Sequence, residues 1–362
     1  MGSLEKGKTK SNNRQSNGEL LRLLCMLMIV IHHFVVHAMY PNTLSLVVSD
    51  GTWDQPLMLA IHCFFYIGVN CFVLLSGWFS IRLKPRSIIN LWTICLFYAA
   101  LCFVEKAIGL NIHGEGNVWS WMYISQVLFP IGRSDYWFII CYIALMLLSP
   151  MLNAAIDSFS RRRYRWVLIL TSVMSVWFGY IWRVEQMNAS GYTTLQFIWL
   201  YLIGGYLHRY YSTEWLLNNR LKCILIYIIC SILWGLLSML NAYHVRVPLW
   251  NPFTYCNPLV MFASIGFFLF VMSFSFKSPM VNWLATSTLP VYLVQEGLFR
   301  YHWLSELSET WLPIVKVLAL PMLSVGFMVM VLLLDKLRIL IMQPFWRFYD
   351  RFVEPWLKRI NY

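Results

Sequence analysis

Long apolar segments separated by short polar ones run along almost the whole chain. A membrane-spanning helix needs about 20 mainly apolar residues to cross a hydrocarbon layer about 30 Å thick. Ten stretches come close to or exceed this length: 20–40, 57–80, 88–108, 135–153, 164–182, 193–210, 221–240, 257–275, 284–303 and 313–334. The pattern predicts an all-α fold, a polytopic membrane helix bundle with about ten transmembrane helices.

The composition agrees with a membrane protein and excludes an ordinary soluble domain. Of the 362 residues, 59% are hydrophobic and 12% are charged, whereas a soluble protein has about 45–50% and about 25%. The nine cysteines form no CxxC pair, and most of them lie inside apolar stretches. We therefore expect buried free thiols, without a disulfide framework or a metal site.

The basic residues predict how the chain is oriented in the membrane. The formal net charge is +12, and most Lys and Arg residues fall on alternate loops. Since cytoplasmic loops are enriched in Lys and Arg, we expect both termini in the cytoplasm and a multi-pass location in the cell membrane, a bacterial inner or plasma membrane. The expected partners are then membrane lipids, and the charge requires no nucleic acid. The sequence leaves a homo-oligomer open.

The chain is predicted to hold one membrane domain between two tails. Residues 1–18 are expected to be a polar cytoplasmic tail, and 19–340 the membrane domain. Residues 341–362 mix aromatic and basic side chains, which suits a cytoplasmic tail with a helix lying in the membrane interface.

Ionisable residues inside a predicted span are costly and are candidates for function. Arg22 and His33 lie eleven residues apart in the first span, so a helix places them on one face with a rise of about 16 Å. His37 extends this face by one turn, whereas His32 is expected to point elsewhere. The spacing predicts a cation at the cytoplasmic rim and an imidazole in the outer half of the same cavity.

Counting residues at helical rise places Glu296 at nearly the same depth as His33. An imidazole and a carboxylate at one depth could form a base and its orienting partner. His62 falls near the same level. Each residue also has a plainer interpretation. A single histidine or Glu296 could form a hydrogen bond between helices, and Arg22 could anchor the first span on the cytoplasmic side by the positive-inside rule.

With its Arg22 and His33, and with further blocks in a similar order along the chain, the sequence resembles the acyltransferase-3 family of integral membrane acyltransferases. Arg22 and His33 match its Arg-x10-His pattern, and similar blocks follow over about 18–340, at 68–78, 136–150, 202–207 and 287–293. Two departures stand out. Gln295 occupies a position where many members have His, and the residues after Trp137 stay apolar where many have Glu. We interpret both as favouring the branch that O-acetylates surface oligosaccharides and exopolysaccharides.

The resemblance implies transfer of an acyl group, most simply acetyl, from cytoplasmic acetyl-CoA or another acyl-CoA to a carbohydrate hydroxyl, with no resident cofactor. His33 would act either as a general base or as a nucleophile that carries the acyl group. Glu296 would orient it, and Gln295 would stabilise the oxyanion. Donor binding is predicted for Arg22, Arg82, Lys84 and Arg86, and acceptor binding for His37, His62, Asn70 and Trp137.

Two other functions are compatible with the same residues. A proton-coupled transporter or flippase of a lipid-linked glycan would also use a His/Glu pair near the midplane, although no repeat of two halves is visible in the sequence. A non-catalytic sensor or assembly scaffold is the third alternative. Thioester consumption by the purified protein would distinguish the enzyme from both.

Overall fold

The computed structural model describes residues 15–40, 53–113, 121–129, 136–242, 253–299 and 301–360. These residues form helices and connecting turns, with no strand among them, so the predicted all-α class is confirmed. Within the described ranges, seven helices are long and apolar enough to span a membrane. They are Asn17–Met39, Asp54–Trp78, Pro85–Ile108, Trp137–Ser158, Arg161–Ile181, Arg220–Asn241 and Pro313–Ile341.

The helices are numbered in chain order. The α-helices are α1 (Asn17–Phe34), α2 (Asp54–Phe65), α3 (Gly68–Trp78), α4 (Pro85–His113), α5 (Trp121–Leu128), α6 (Trp137–Ser158), α7 (Arg161–Val173), α8 (Thr194–Tyr210), α9 (Thr213–Asn218), α10 (Arg220–Ala242), α11 (Pro258–Met272), α12 (Pro279–Ala285), α13 (Thr288–Gly297), α14 (Tyr301–Glu309), α15 (Pro313–Ile341), α16 (Gln343–Phe348) and α17 (Glu354–Ile360). Three π-helical segments continue them, at Val35–Met39, Met174–Ile181 and Tyr349–Val353.

Three of the predicted spans have a different form in the structure. The predicted spans 193–210 and 257–275 become α8, of 17 residues, and α11, of 15 residues. The predicted span 284–303 is divided among the short helices α12, α13 and α14. A count of apolar residues cannot separate one long helix from several short ones, so it counts this divided segment as a span.

The break between α12 and α13 is held by Lys336 of α15. Its Nζ donates to the carbonyl oxygen of Trp283 at 2.7 Å, to Thr286 Oγ1 at 2.9 Å and to Ser287 Oγ at 2.8 Å. Pro290 lies in the first turn of α13, where the missing N–H of proline costs no helical hydrogen bond. These interactions fix where α13 begins and therefore where its side chains lie.

Glycines bring the central helices into backbone contact. A Cβ on Gly77 of α3 would lie 2.1 Å from the carbonyl oxygen of Tyr201, and one on Gly204 of α8 would lie 2.2 Å from that of Leu74. Small residues of this kind allow close approach of membrane helices. The glycines of the blocks at 68–78 and 202–207 therefore serve packing.

The two ends of the bundle can be told apart by which helix ends meet there. At one end, Asn17 at the start of α1 donates from Nδ2 to the carbonyl oxygen of Met272, the last residue of α11, at 3.2 Å. Trp78 ends α3 and its ring lies 4.9 Å from that of His208 in the last turn of α8. We call this the proximal end. The opposite, distal end gathers the end of α1 and the starts of α6, α8 and α11.

The chain after α15 forms α16, a π-helical turn and α17, which leave large aromatic side chains exposed. Arg86 at the start of α4 pairs with Asp350 and, at 3.3 Å, with Glu354. All nine cysteines are free thiols, as predicted. The C-terminal helices are thus attached to α4 by ion pairs, and their predicted interfacial position remains a prediction.

Candidate active site

A cavity of about 580 Å³ runs through the bundle beside α1. Arg22 lies on its wall toward the proximal end, and His33 and His37 lie on its wall toward the distal end. The structure therefore places the guanidinium and the imidazole on one cavity, as the eleven-residue spacing requires. We call it the central cavity.

The helix geometry of α1 changes just after His33. The α-helix ends at Phe34 and continues as a π-helical turn, in which the backbone N–H of Tyr40 donates to the carbonyl oxygen of Val35 at 2.8 Å. Such turns are frequent at functional sites. His37 lies within the turn, and its ring centroid is 5.3 Å from that of His33. Both rings reach the central cavity.

Glu296 of α13 is the acidic neighbour of His33. Its Oε1 lies 3.2 Å from His33 Nδ1, and the two side chains are 24% and 14% exposed. The ring N–H does not point at the carboxylate within hydrogen-bond limits, so a small rotation of either side chain is needed to align them. Catalytic hydrogen bonds are often poorly aligned before substrate binds. The depth count thus identified a real neighbour.

His32 lies on the cavity wall, and the expectation that it points elsewhere is wrong. The cavity wraps around more than one face of α1, since Met26 and Val36 also line it. His32 Nδ1 lies 3.2 Å from Nδ1 of His62, so one ring donates there and the other accepts. His62 is fully buried behind His32 and is not among the residues that line the cavity.

Asn70 and Gln295 do not reach the central cavity. Asn70 is fully buried, and its Nδ2 donates to the carbonyl oxygen of Tyr255 at 3.1 Å. Gln295 is also buried and is not on the cavity wall, although Glu296 beside it is. Neither amide lies on the wall of the central cavity, and their roles in acceptor binding and in stabilising an oxyanion stay predictions.

Four aromatic side chains form the distal part of the cavity wall. Trp137, Tyr66, Tyr192 and Tyr255 all line it. The Tyr192 ring lies 4.6 Å from that of Trp137 and 4.9 Å from that of Tyr255. The Tyr66 hydroxyl is 3.2 Å from that of Tyr192. Sequence reasoning found Trp137 but missed the tyrosines, because single aromatic residues do not stand out in a chain that is 17% aromatic. We call this set the distal aromatic wall.

Arg22 is paired with a residue that sequence reasoning also missed. Its Nη1 lies 2.6 Å from each carboxylate oxygen of Glu19, one turn earlier on α1. The Arg22 side chain is 36% exposed. The i, i+3 spacing of opposite charges on a predicted helix was the available signal. Arg22 therefore offers a guanidinium that is already held in place.

The other predicted donor-binding cations are elsewhere. Arg82 and Lys84 are exposed and are not on the wall of the central cavity. Arg86 is engaged by Asp350 and Glu354, and its guanidinium lies over the Trp346 ring. The structure does not bring these three residues to Arg22.

A second cavity of about 620 Å³ opens at the proximal end. Arg22 belongs to its wall as well as to that of the central cavity. We call it the proximal cavity. In the described part of the chain, no group of three or more His, Cys, Asp or Glu side chains could hold a metal ion.

Comparison with known proteins gives one match. A family model described as an acyltransferase domain, that of the acyltransferase-3 family, matches residues 18–335. This range is most of the chain and contains Arg22, His33 and Glu296. No curated protein and no solved structure matches the chain.

Proposed function

The chain belongs to the acyltransferase-3 family, and we propose that it transfers an acyl group, acetyl in the simplest case, from cytoplasmic acyl-CoA to a hydroxyl of a cell-surface or lipid-linked carbohydrate. The reaction takes place in the central cavity. The proximal end faces the cytoplasm and the distal end faces the outer side of a cell membrane.

The distance between Arg22 and His33 supports a CoA donor. Eleven residues of helix correspond to a rise of about 16 Å, which is about the length of an extended pantetheine arm. Arg22 binds the diphosphate of the donor through charge-assisted hydrogen bonds. The thioester then lies beside His33, and the anionic part of CoA never enters the outer half of the membrane.

His33 and Glu296 supply the acid–base chemistry. Neutral His33 takes the proton of the acceptor hydroxyl as its oxygen attacks the thioester carbonyl carbon. The C–S bond breaks, and the imidazolium returns the proton to the thiolate, which leaves as CoA–SH. Glu296 lies 3.2 Å from Nδ1, so Nε2 on the far edge of the ring is the atom that exchanges the proton. The carboxylate stabilises the transient imidazolium.

The distal aromatic wall supports a carbohydrate acceptor. Tyr192 is 42% exposed and Trp137 is partly exposed, so both rings can contact the apolar face of a sugar. The phenol hydroxyls of Tyr66 and Tyr192 lie within the same wall and are uncharged hydrogen-bonding groups that suit sugar hydroxyls. His37, whose ring centroid lies 5.3 Å from that of His33 and which also lines the central cavity, is a further contact for the acceptor.

The observation that carries the proposal is the sharing of one cavity by Arg22 and the His33–Glu296 pair. Inverted membrane vesicles from cells that overproduce the protein, given [14C]acetyl-CoA, test it by alkali-labile label in the glycan fraction. Arg22→Ala and His33→Ala are expected to lose the label, and Arg165→Ala, an exposed arginine of α7, is expected to retain it. Full labelling with His33→Ala would reject the assignment, and wild-type vesicles that never consume the thioester would favour a transporter.

A further inference from the structure

The proximal cavity has no part in the chemistry described above, yet it adjoins the site. Its wall is built where α1 begins and where α3, α8 and α11 end, with Thr213 of α9 beside them. Its volume of about 620 Å³ lies within the range of about 300–1,000 Å³ that is usual for small-molecule sites. Arg22 is common to both cavities, so a long ligand that contacts Arg22 can occupy both.

The length of the donor decides which part of it would lie there. If the thioester is beside His33, the pantetheine arm extends along α1 for about 16 Å and ends near Arg22. The diphosphate then lies at Arg22. The nucleoside must continue on the side of Arg22 away from His33, and the proximal cavity is on that side.

Aromatic side chains give the proximal cavity a surface suited to a flat heterocycle. The rings of Trp78 and His208 meet edge to face with centroids 4.9 Å apart, and both line the cavity. Phe79 follows Trp78, lines the same wall and is 55% exposed. A purine can stack on such rings with little dependence on hydrogen bonding.

Charged and polar groups surround these rings. Arg22 and its carboxylate partner Glu19 both line the cavity. The guanidinium of Arg220 lies 4.5 Å from the ring centroid of Phe274, a wall residue, and donates to Ser273, so it is a second cation beside the cavity. Thr213 offers a hydroxyl for a ribose. By contrast, Arg86 is paired with Asp350 and Glu354 and lies on the wall of neither cavity.

We propose that the proximal cavity is the binding site for the adenine nucleotide of the donor, with Phe79, Trp78 and His208 contacting the purine and Arg22 the diphosphate. The inference rests on the proposed function, since it is the acyl-CoA chemistry that places a nucleotide beyond Arg22. It assigns donor affinity to Phe79 and His208, which the reaction itself does not require.

Calorimetric titration of the purified full-length protein in detergent tests this with three probes: CoA, adenosine 3′,5′-bisphosphate and pantetheine. Wild-type protein is expected to bind CoA, and adenosine 3′,5′-bisphosphate is expected to compete with it. His208→Ala and Phe79→Ala each weaken binding of CoA and of the bisphosphate by about 5- to 150-fold, the range given by loss of one aromatic stacking contact. Binding of pantetheine stays the same.

Both substituted residues are exposed, so folding is preserved, and a matched thermal unfolding midpoint verifies this. Phe352→Ala, at an equally exposed phenylalanine near the C-terminus, is the control and leaves CoA affinity unchanged. If wild-type protein binds CoA but both variants match it and the bisphosphate does not compete, the nucleotide site is wrong and the proposed function stands. If wild-type protein binds no CoA, both proposals fall.

Discussion

Replacing Glu296 with Gln removes the negative charge beside His33 and keeps the size of the side chain. The distance from Glu296 Oε1 to His33 Nδ1 is 3.2 Å. At that distance two opposite unit charges attract by about 1.3 kcal/mol in bulk water and by about 5 kcal/mol at an effective dielectric constant of about 20. The side chains are 24% and 14% exposed, so the true value lies between these limits.

We take about 2–3 kcal/mol as the stabilisation that the carboxylate gives to the imidazolium formed during transfer. At 1.36 kcal/mol for each factor of ten, Glu296→Gln is expected to lower kcat by roughly 30- to 150-fold. The affinity for acetyl-CoA stays the same, because Glu296 acts on the charge that forms in the transition state.

The assay is the rate of CoA thiol release by membranes at saturating acetyl-CoA, together with the dissociation constant of CoA from calorimetry. Glu296→Asp retains the charge but shortens the side chain, and is expected to keep more activity than Glu296→Gln. A Glu296→Gln protein with wild-type kcat would refute the role of the carboxylate. A variant that loses CoA binding and kcat together would show that Glu296 supports the fold of the cavity.

Three further substitutions test other parts of the account. Gly77→Ala places a Cβ 2.1 Å from a backbone oxygen. It is expected to lower the free energy of unfolding by about 3 kcal/mol or more, seen as a lower thermal unfolding midpoint. Gly326→Ala, with open space around it, is the control and does not lower the midpoint. Glu19→Gln frees the Arg22 guanidinium and removes a charge that repels phosphate. Calorimetry is therefore expected to show CoA binding about 3- to 10-fold more tightly, a gain of roughly 1 kcal/mol in binding free energy. Weaker binding would instead show that Glu19 is required to orient Arg22. Arg86→Ala is expected to speed proteolysis of the C-terminal helices, because losing exposed ion pairs costs about 1 kcal/mol of stability. CoA affinity is expected to stay unchanged. A loss of CoA affinity would show that Arg86 takes part in donor binding.

The relation between Arg22 and His33 could be predicted because it depends only on the period of a helix. Eleven residues return to nearly the same face whatever surrounds the helix, and the structure places both on the central cavity. The proximity of Glu296 came from a count of depth, which needs only the rise per residue. Both are local quantities that a single sequence contains.

The rotation of each helix about its axis could not be predicted in the same way. Gln295 and Glu296 are neighbours, and only Glu296 reaches the central cavity. In a span that is apolar on all sides, no polar face indicates which side of the helix lines the site. The direction of the Asn70 side chain could not be predicted for the same reason, since its partner is the backbone carbonyl of Tyr255, 185 residues later in the chain.

Long-range ion pairs and helix breaks also could not be predicted from the sequence. Arg86 follows a block typical of the family, but its partner Asp350 lies 264 residues later in the chain. The division of 284–303 into short helices is accompanied by contacts from Lys336, which donates to three oxygen atoms at the break. Neither contact has a local signature in the sequence.

The central claim is that one cavity brings a cytoplasmic donor to an acceptor on the other side of the membrane. Sealed inverted vesicles can be labelled with [14C]acetyl-CoA added outside and then treated with a membrane-impermeant acetyl esterase. The labelled glycan is expected to be protected in sealed vesicles and to lose its label only after detergent is added. Complete removal of the label from sealed vesicles would show that acylation occurs on the donor side, and would contradict the account.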